Sequence, residues 1–280
     1  KKFFYSIIIF GDFMNTRKKR RLKKSFKLFV ILTICIITLI ISTFFIIKWI
    51  IDNKNINELS MEVEETTEIK VVEEKENTNI EQVNPPKEEE SDYWKYIKMS
   101  LIEVDFNDLL KKNNDTVGWI KVEGTSINYP VVQSQNNDFY LSHAYDKTKN
   151  EAGWIFADYR NNMKDFDKNT IISGHGRLNT TMFGSLKNIM NSNWYKNSNN
   201  YIIKFSTPHE NTLWQVFSVY KIPTETYYLK TKFNNDSDYN DFLSTLKQRS
   251  IYDFNAELNS NDKIVTLSTC SNDNKSRIVM

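Results

Sequence analysis

The chain has 280 residues, enough for one sizeable domain with accessory segments, and its formal net charge of +2 is unevenly distributed. Residues 1–27 carry a charge of +9 and the remaining residues carry −7, which argues against nucleic acid as a partner of the main domain, because phosphate binding needs a basic surface. The two cysteines, Cys35 and Cys270, provide neither a disulfide framework nor a zinc-ligand cluster, so no metal and no cofactor is predicted.

The N-terminal part of the sequence is typical of a membrane anchor. Residues 1–13 precede a complete membrane-targeting unit that starts at Met14, so we interpret them as upstream sequence. The basic segment 14–27 is followed by residues 28–47, which contain no charge and, at 1.5 Å rise per residue, are long enough to cross about 30 Å of hydrocarbon. The predicted transmembrane segment is 28–51 and has no signal-peptide cleavage site after it. Positive charge on its N-terminal side predicts a cytoplasmic N-terminus and an extracellular main domain.

Two regions follow the membrane anchor. Residues 52–91 are acidic and contain no aromatic residue that would nucleate a core, which predicts an extracellular linker. The globular domain is expected at 92–280. It begins with apolar residues from Tyr93 to Leu110 at helical spacing, and this pattern predicts one or two amphipathic helices.

The rest of the domain is predicted to be mainly β. Short apolar runs separated by turn residues predict eight strands, a number typical of a closed or nearly closed β-barrel. They are residues 117–122, 127–132, 153–157, 169–173, 201–205, 213–221, 264–269 and 277–280. One late helix is predicted at about 236–247, capped by Asp236 or Ser237.

One cysteine requires a chemical explanation. The run of β-branched and apolar residues from Ile264 predicts a buried strand that ends in Cys270, where packing cannot be the main purpose of a thiol. A nucleophilic thiol needs a base and a positive group near the oxyanion. His175 lies between two glycines directly after a predicted strand, and Arg277 follows Cys270 after a turn-forming hexapeptide, so the three residues form a candidate catalytic site.

Other residues are weaker candidates for these roles. His143 and His209 lie in polar loops and are predicted to be ordinary surface or hydrogen-bonded histidines. Arg160 and Arg177 compete less well than Arg277 for the cationic role, because neither opens the strand that follows the cysteine.

Several motifs agree in order and spacing with one known family. These are TLSTC at 266–270 with a following Arg277, Gly174-His175 followed by MFGSL at 182–186, VGWI at 117–120, NYPVV at 128–132, and the region 152–160. Over roughly residues 104–280 the sequence resembles the sortases, which are membrane-anchored cysteine transpeptidases, and within them class B. The resemblance implies an eight-stranded sortase-type β-barrel with N-terminal helices and one late helix, preceded by a single transmembrane helix.

The resemblance also implies a function and roles for individual residues. Cys270 would attack the Thr carbonyl of an NPxT-like C-terminal sorting signal and form a thioacyl-enzyme, His175 would act as general acid and base, and Arg277 would hold the carbonyl or oxyanion. The partners would be the sorting-signal peptide of secreted surface proteins and a cell-wall peptide amine from a peptidoglycan precursor, in a Gram-positive-type envelope. Substrate-binding roles carry over to Asn137, Leu141, Tyr228, Leu229, Ser268 and Thr269.

Two alternative functions and one structural expectation stand beside this interpretation. A papain-like cysteine protease would need an Asn or Asp to orient the histidine and would use water as the acceptor. A catalytically inactive, membrane-tethered module would bind a peptide without turnover. The chain stops three residues after Arg277, which predicts a shortened last strand with an unpaired edge.

Overall fold

The computed structural model describes residues 2–72, 99–223, 225–270 and 276–280; the side chains of residues 2–22 and of Cys270 are not part of that description. The chain divides into two compact units, Lys1–Lys54 and Asn55–Met280. The first contains most of a long helix and the second contains the β-sheet with the candidate site.

The long helix α1, Lys2–Thr66, includes a stretch that is long and apolar enough to cross a membrane. Its large apolar side chains are mostly exposed, among them Leu28, Phe29 and Leu39, each more than 60% exposed. Two hydroxyl groups in this stretch are satisfied within the helix, since Thr33 and Thr43 donate hydrogen bonds to carbonyls four residues earlier. An apolar helix with internally paired polar groups is consistent with a membrane anchor.

The linker prediction was wrong for the segment that enters the second unit. Helix α1 continues to Thr66, and strand β1, Ile69–Val72, follows it. Ile56 and Val63 are 0% and 1% exposed and belong to the main hydrophobic core, with Leu59 packed against them. The acidic composition had concealed this apolar stripe, whose i, i+3, i+7 spacing marks one buried helix face. The remainder of the predicted linker, 73–91, lies outside the described residues.

The predicted N-terminal helices were correct only in part. Residues 93–98 lie outside the described residues, and Leu101–Val104 forms strand β2 rather than helix. Strand β2 pairs with β1 in antiparallel register, and Ile102 and Val104 are buried in alternation with Leu101 and Glu103. Helix α2, Asn107–Lys112, is shorter than expected and buries Leu109.

In the described part of the chain, nine strands form the main sheet. Their order across the sheet is β8-β7-β3-β4-β5-β6-β10-β11-β9. The strands are β3 Thr116–Val122, β4 Asn128–Val132, β5 Phe156–Ala157, β6 Asn169–Gly174, β7 Ile202–Ser206, β8 Asn211–Gln215, β9 Tyr220–Pro223, β10 Ile264–Cys270 and β11 Ser276–Val279. Seven of the eight predicted strands each correspond to one of these. The eighth, 213–221, is two strands, β8 and β9, with residues 216–219 between them.

The separation of β8 from β9 explains why the sheet curls into a barrel-like form. These strands are at opposite edges of the sheet, yet only residues 216–219 join them. Such a connection spans at most about 17 Å, whereas a flat sheet of this width would measure about 38 Å at ordinary strand spacing. The sheet must therefore bend back on itself, and the predicted barrel-type fold is confirmed with nine strands in place of eight.

The late helix and the last strand complete the domain. Helix α4, Asp236–Arg249, is capped by Asn235, whose side chain accepts a hydrogen bond from the amide of Asp238, and it buries Tyr239, Phe242, Leu243 and Leu246. A short helix, α3, spans Ser192–Tyr195. The expected unpaired edge of the last strand is not seen, because β11 pairs with β10 on one side and β9 on the other.

Candidate active site

Strand register brings the three predicted catalytic positions together. Cys270 lies directly opposite Arg277 in the antiparallel pairing of β10 with β11. On the other side, Thr269 is opposite Gly174 in the parallel pairing of β10 with β6, so His175 leaves β6 beside the end of β10. Because neighbouring strands are about 4.8 Å apart, the three residues occupy adjacent positions at one end of the sheet.

The imidazole of His175 is held by the carbonyl of Leu141. The His175 Nε2 atom lies 2.8 Å from the Leu141 carbonyl oxygen. A carbonyl can only accept a hydrogen bond, so Nε2 carries the proton and, in the neutral ring, Nδ1 is the nitrogen that accepts. The backbone of His175 is fixed as well, since its carbonyl accepts a hydrogen bond from the amide of Phe183 at 3.1 Å.

Gly153 makes room for this imidazole. Its φ of +61° lies in the left-handed region that favours glycine. A Cβ atom at this position would lie 2.5 Å from the Tyr140 carbonyl oxygen and 2.9 Å from Cδ2 of His175. The amide of Trp154, the next residue, donates to that same Tyr140 carbonyl at 2.8 Å. Residues 140–141 and 153–154 therefore form a tight cradle around the ring.

Arg277 is half-buried and is the second residue of β11. It lies opposite Cys270 on one side and Ile222 on the other, and its Nη1 atom lies 3.4 Å from the carbonyl oxygen of Ser276. This placement leaves a permanently charged guanidinium beside the strand end that carries the cysteine.

Four predicted substrate-binding residues lie on β10 and on the turn before α4. Tyr228 and Ser268 are both buried, and their hydroxyl oxygens are 2.8 Å apart, so the two side chains tie the turn to β10. Thr269 is also buried, whereas Leu229 is half-buried. The turn has a second anchor, because the Asn169 amide donates to the carbonyl oxygens of Tyr228 and Lys230, each at 2.9 Å.

The other two predicted substrate-binding residues lie in the loop that follows β4. The Leu141 side chain remains 40% exposed although its carbonyl binds His175. The Asn137 amide is oriented on both sides: its Oδ1 accepts from the amide of Tyr159 at 3.0 Å and its Nδ2 donates to Asp158 at 2.9 Å.

Sequence reasoning did not identify Asp158 as a residue of this region. Its side chain is only 5% exposed and binds Arg160 through two hydrogen bonds, from Nε at 2.8 Å and from Nη2 at 2.7 Å. Arg160, a weaker candidate for the cationic role, is thus committed to this ion pair. Both residues lie in the matched region 152–160, but their two-residue spacing does not reveal an ion pair, because many surface pairs share it.

The other alternative candidates are consistent with ordinary roles. The His143 ring stacks on Phe139 with centroids 4.1 Å apart, and its Nδ1 lies 2.8 Å from the Phe139 carbonyl oxygen. His209 lies in the turn between β7 and β8. Arg177 is half-buried two residues after His175.

The Asp158 ion pair predicts a pH-dependent contribution to stability. Burial alone raises the pKa of Asp158, but hydrogen bonds from Arg160 and Asn137 outweigh burial and hold the pKa below its ordinary value. The contribution is therefore complete above about pH 4, the ordinary pKa of an unfolded Asp, and is lost as the pH falls through the lower folded pKa. Thermal unfolding of wild type and Asp158→Asn should give a Tm difference that is large at pH 6 and smaller at pH 2.5.

The exposed Asp108 on α2 supplies the control for this measurement. Asp108→Asn removes a carboxylate whose side chain is 83% exposed and which pairs with Lys111 at the surface. It should alter Tm little at either pH, since such pairs contribute little to stability. A Tm difference for Asp158→Asn that stays the same at both pH values would contradict the assigned ion pair.

Comparison with known proteins identifies the family of the chain. A family model described as the sortase domain matches residues 120–280. Sortase B of Listeria monocytogenes is 39% identical over 166 residues, which are 59% of this chain and 67% of the relative. The chain therefore belongs to the sortase family and is a cysteine transpeptidase.

Solved structures define the class within that family. A Staphylococcus aureus sortase B-substrate complex has a TM-score of 0.58 and 39% identity, covering 62% of this chain and 81% of its own. A sortase B complexed with triglycine has a TM-score of 0.59 at the same identity, with coverages of 62% and 82%. The protein is a class B sortase, as the sequence motifs had indicated, and the papain-like alternative is excluded.

Proposed function

We propose that this sortase cleaves a C-terminal sorting signal of the NPxT type at its Thr carbonyl and transfers the protein to an amine of a cell-wall peptide. The register that aligns Cys270 with Arg277, and Thr269 with Gly174 just before His175, is the observation that carries the proposal. The solved complexes of sortase B with a substrate and with triglycine support a peptide donor and an amine acceptor.

In the first half-reaction, Cys270 attacks the Thr carbonyl carbon and a carbon–sulfur bond forms. Nδ1 of His175 accepts the thiol proton, because Nε2 is committed to the Leu141 carbonyl. Arg277 stabilises the negative charge that develops on the carbonyl oxygen. His175 then gives the proton to the leaving amine as the carbon–nitrogen bond breaks, and a thioester remains on Cys270.

In the second half-reaction, an incoming amine attacks the thioester carbonyl. His175 takes a proton from the attacking nitrogen, and Arg277 again stabilises the oxyanion. The carbon–sulfur bond breaks, the proton returns to the sulfur of Cys270, and a new amide bond joins the surface protein to the acceptor. Neither half-reaction consumes a cofactor.

The six substrate-binding candidates fall into two groups. Asn137, Leu141 and Leu229 have partly exposed side chains, and we assign them direct contacts with the donor peptide. Tyr228, Ser268 and Thr269 are buried and form the floor behind the peptide.

The proposed location follows from the N-terminal sequence and from α1. The basic segment 14–27 remains in the cytoplasm, α1 crosses the membrane once, and the catalytic domain lies outside the cell. This topology brings the enzyme close to secreted surface proteins and to membrane-linked cell-wall precursors.

A substitution of each cysteine tests the proposed reaction. Cys270→Ala should abolish both cleavage of an NPxT peptide and its ligation to triglycine. Mass spectrometry of the peptide products measures both activities. Cys35→Ala, in α1, is the matched control and should leave both activities unchanged. Cleavage that is indifferent to added triglycine would contradict the proposed amine acceptor, and peptide binding without turnover by the wild type would contradict the proposed sorting signal.

A further inference from the structure

The ion pair of Asp158 and Arg160 contacts two segments that carry proposed donor-peptide residues. Asp158 follows β5 directly and its amide donates to the carbonyl of Ile171 in β6 at 2.9 Å, so its backbone belongs to the rigid sheet. Its carboxylate accepts hydrogen bonds from Asn137 at 2.9 Å and from Arg160. The Arg160 Nη2 atom also donates to the Leu229 carbonyl oxygen at 3.1 Å.

The contact with Asn137 fixes the orientation of its amide. A carboxylate only accepts and a backbone N–H only donates, so Nδ2 must face Asp158 and Oδ1 must face the amide of Tyr159. One N–H of Nδ2 is used in this way, and no acceptor for the second is seen among the described residues, so we assign it to a peptide carbonyl. Without the carboxylate, the amide would lose the charged partner that holds it in this orientation.

The contact with Leu229 acts on the turn before α4. This turn is tied to β10 through Tyr228 and Ser268, and to β6 through Asn169. Arg160 adds a third anchor, and its side chain is 37% exposed whereas that of Asp158 is 5% exposed. The pair thus connects the buried carboxylate of Asp158, next to the sheet, with the backbone of the turn at Leu229.

We propose that Asp158 and Arg160 are positioning residues for donor-peptide recognition, because one ion pair orients the Asn137 amide and the Leu229 carbonyl together. The bidentate geometry is essential, since a guanidinium can bind both carboxylate oxygens and still donate to a carbonyl. The pair acts through the donor-binding residues and has no role in the amine step. This inference rests on the proposed transpeptidation.

The test separates the donor and acceptor steps in the full-length protein. Arg160→Met should raise KM for an NPxT peptide about tenfold, the effect of losing one well-placed charged hydrogen bond. KM for triglycine should remain unchanged. Arg160→Lys keeps the positive charge but not the planar guanidinium, so its KM for the NPxT peptide should lie between those of the wild type and Arg160→Met. The matched control is Lys112→Met, which removes a cation of α2 that pairs with Glu62 and has a 29% exposed side chain. It should leave both KM values unchanged.

A double substitution guards against misfolding, because Arg160→Met leaves a buried carboxylate unpaired. Asp158→Asn/Arg160→Met removes both charges, and its donor KM should rise no further than that of Arg160→Met, since the two residues act as one unit. A donor KM equal to wild type in the folded double variant would overturn the inference, as would an equal rise in both KM values. Neither result would contradict the proposed transpeptidation, provided that Cys270→Ala still abolished the activity.

Discussion

Replacing Gly153 by Ala is expected to lower kcat/KM for the donor peptide by about 100-fold, the order of loss that a displacement of about 1 Å in a catalytic group produces. The added methyl group would meet the Tyr140 carbonyl oxygen at 2.5 Å and the His175 ring at 2.9 Å. The ring or the backbone that holds it must therefore move. The imidazole would lose its alignment with Leu141, and proton transfer in both half-reactions would suffer. Steady-state kinetics with an NPxT peptide and triglycine would measure the effect.

A substitution at a second glycine, Gly124, distinguishes misalignment of the His175 ring from a general loss of stability. Gly124, in the turn between β3 and β4, has a φ of +72°, and a Cβ there would lie 2.6 Å from the Asn200 side chain. Gly124→Ala should therefore cost about 1–2 kcal/mol of stability, as Gly153→Ala does. At assay temperatures below its Tm, Gly124→Ala should nevertheless have the kcat/KM of the wild type. Equal kinetic losses in the two variants would argue against the cradle around His175.

Removing residues 55–91 is expected to destabilise the catalytic domain strongly. A fragment that starts at residue 92 omits Ile56 and Val63, whose burial contributes about 1.5–3 kcal/mol each. It also omits β1, the partner of β2, and the ion pair of Glu62 with Lys112 at 2.6 Å. Thermal unfolding should show a Tm at least about 10 °C below that of a fragment that starts at residue 55.

Point substitutions identify which part of this segment is responsible. In the longer fragment, Ile56→Ala should cost about 2–5 kcal/mol, the usual effect of truncating a buried Ile. Met61→Ala is the control, because Met61 is on the same helix but 57% exposed. Similar stability of the two fragments would mean that residues 55–72 are a linker after all.

The main features of the fold could be predicted because their signals are local. Short apolar runs bounded by turn residues mark strands such as β3 and β6, and the periodic apolar face of α4 survives a one-residue error in its cap. The candidate catalytic positions were accessible for a related reason. A thiol at the end of a buried strand and an imidazole directly after another have few structural uses, so Cys270 and His175 stand out without knowledge of their neighbours.

The features that were missed depend on contacts between distant residues. The division of 213–221 into β8 and β9 has no local signal, because the apolar character continues through Val216 and Phe217 while the partner strand changes. The docking of residues 55–66 was hidden by acidic side chains on the opposite face of the helix. The link between Asp158 and Leu229 requires the turn before α4 to fold over the sheet, which no spacing reveals.

The pairing of β10 has a consequence for the order in which the domain folds. Thr269 of β10 pairs with Gly174 of β6, and the intervening chain includes β7, β8, β9 and α4. Strand β10 also lies between β6 and β11, so each of these two strands lacks one of its native neighbours until β10 inserts. Pairings between residues this far apart in sequence form slowly, because a long loop must close first. We therefore expect the proposed nucleophile to be aligned late in folding, so that a partly folded chain lacks the assembled site that acylation requires.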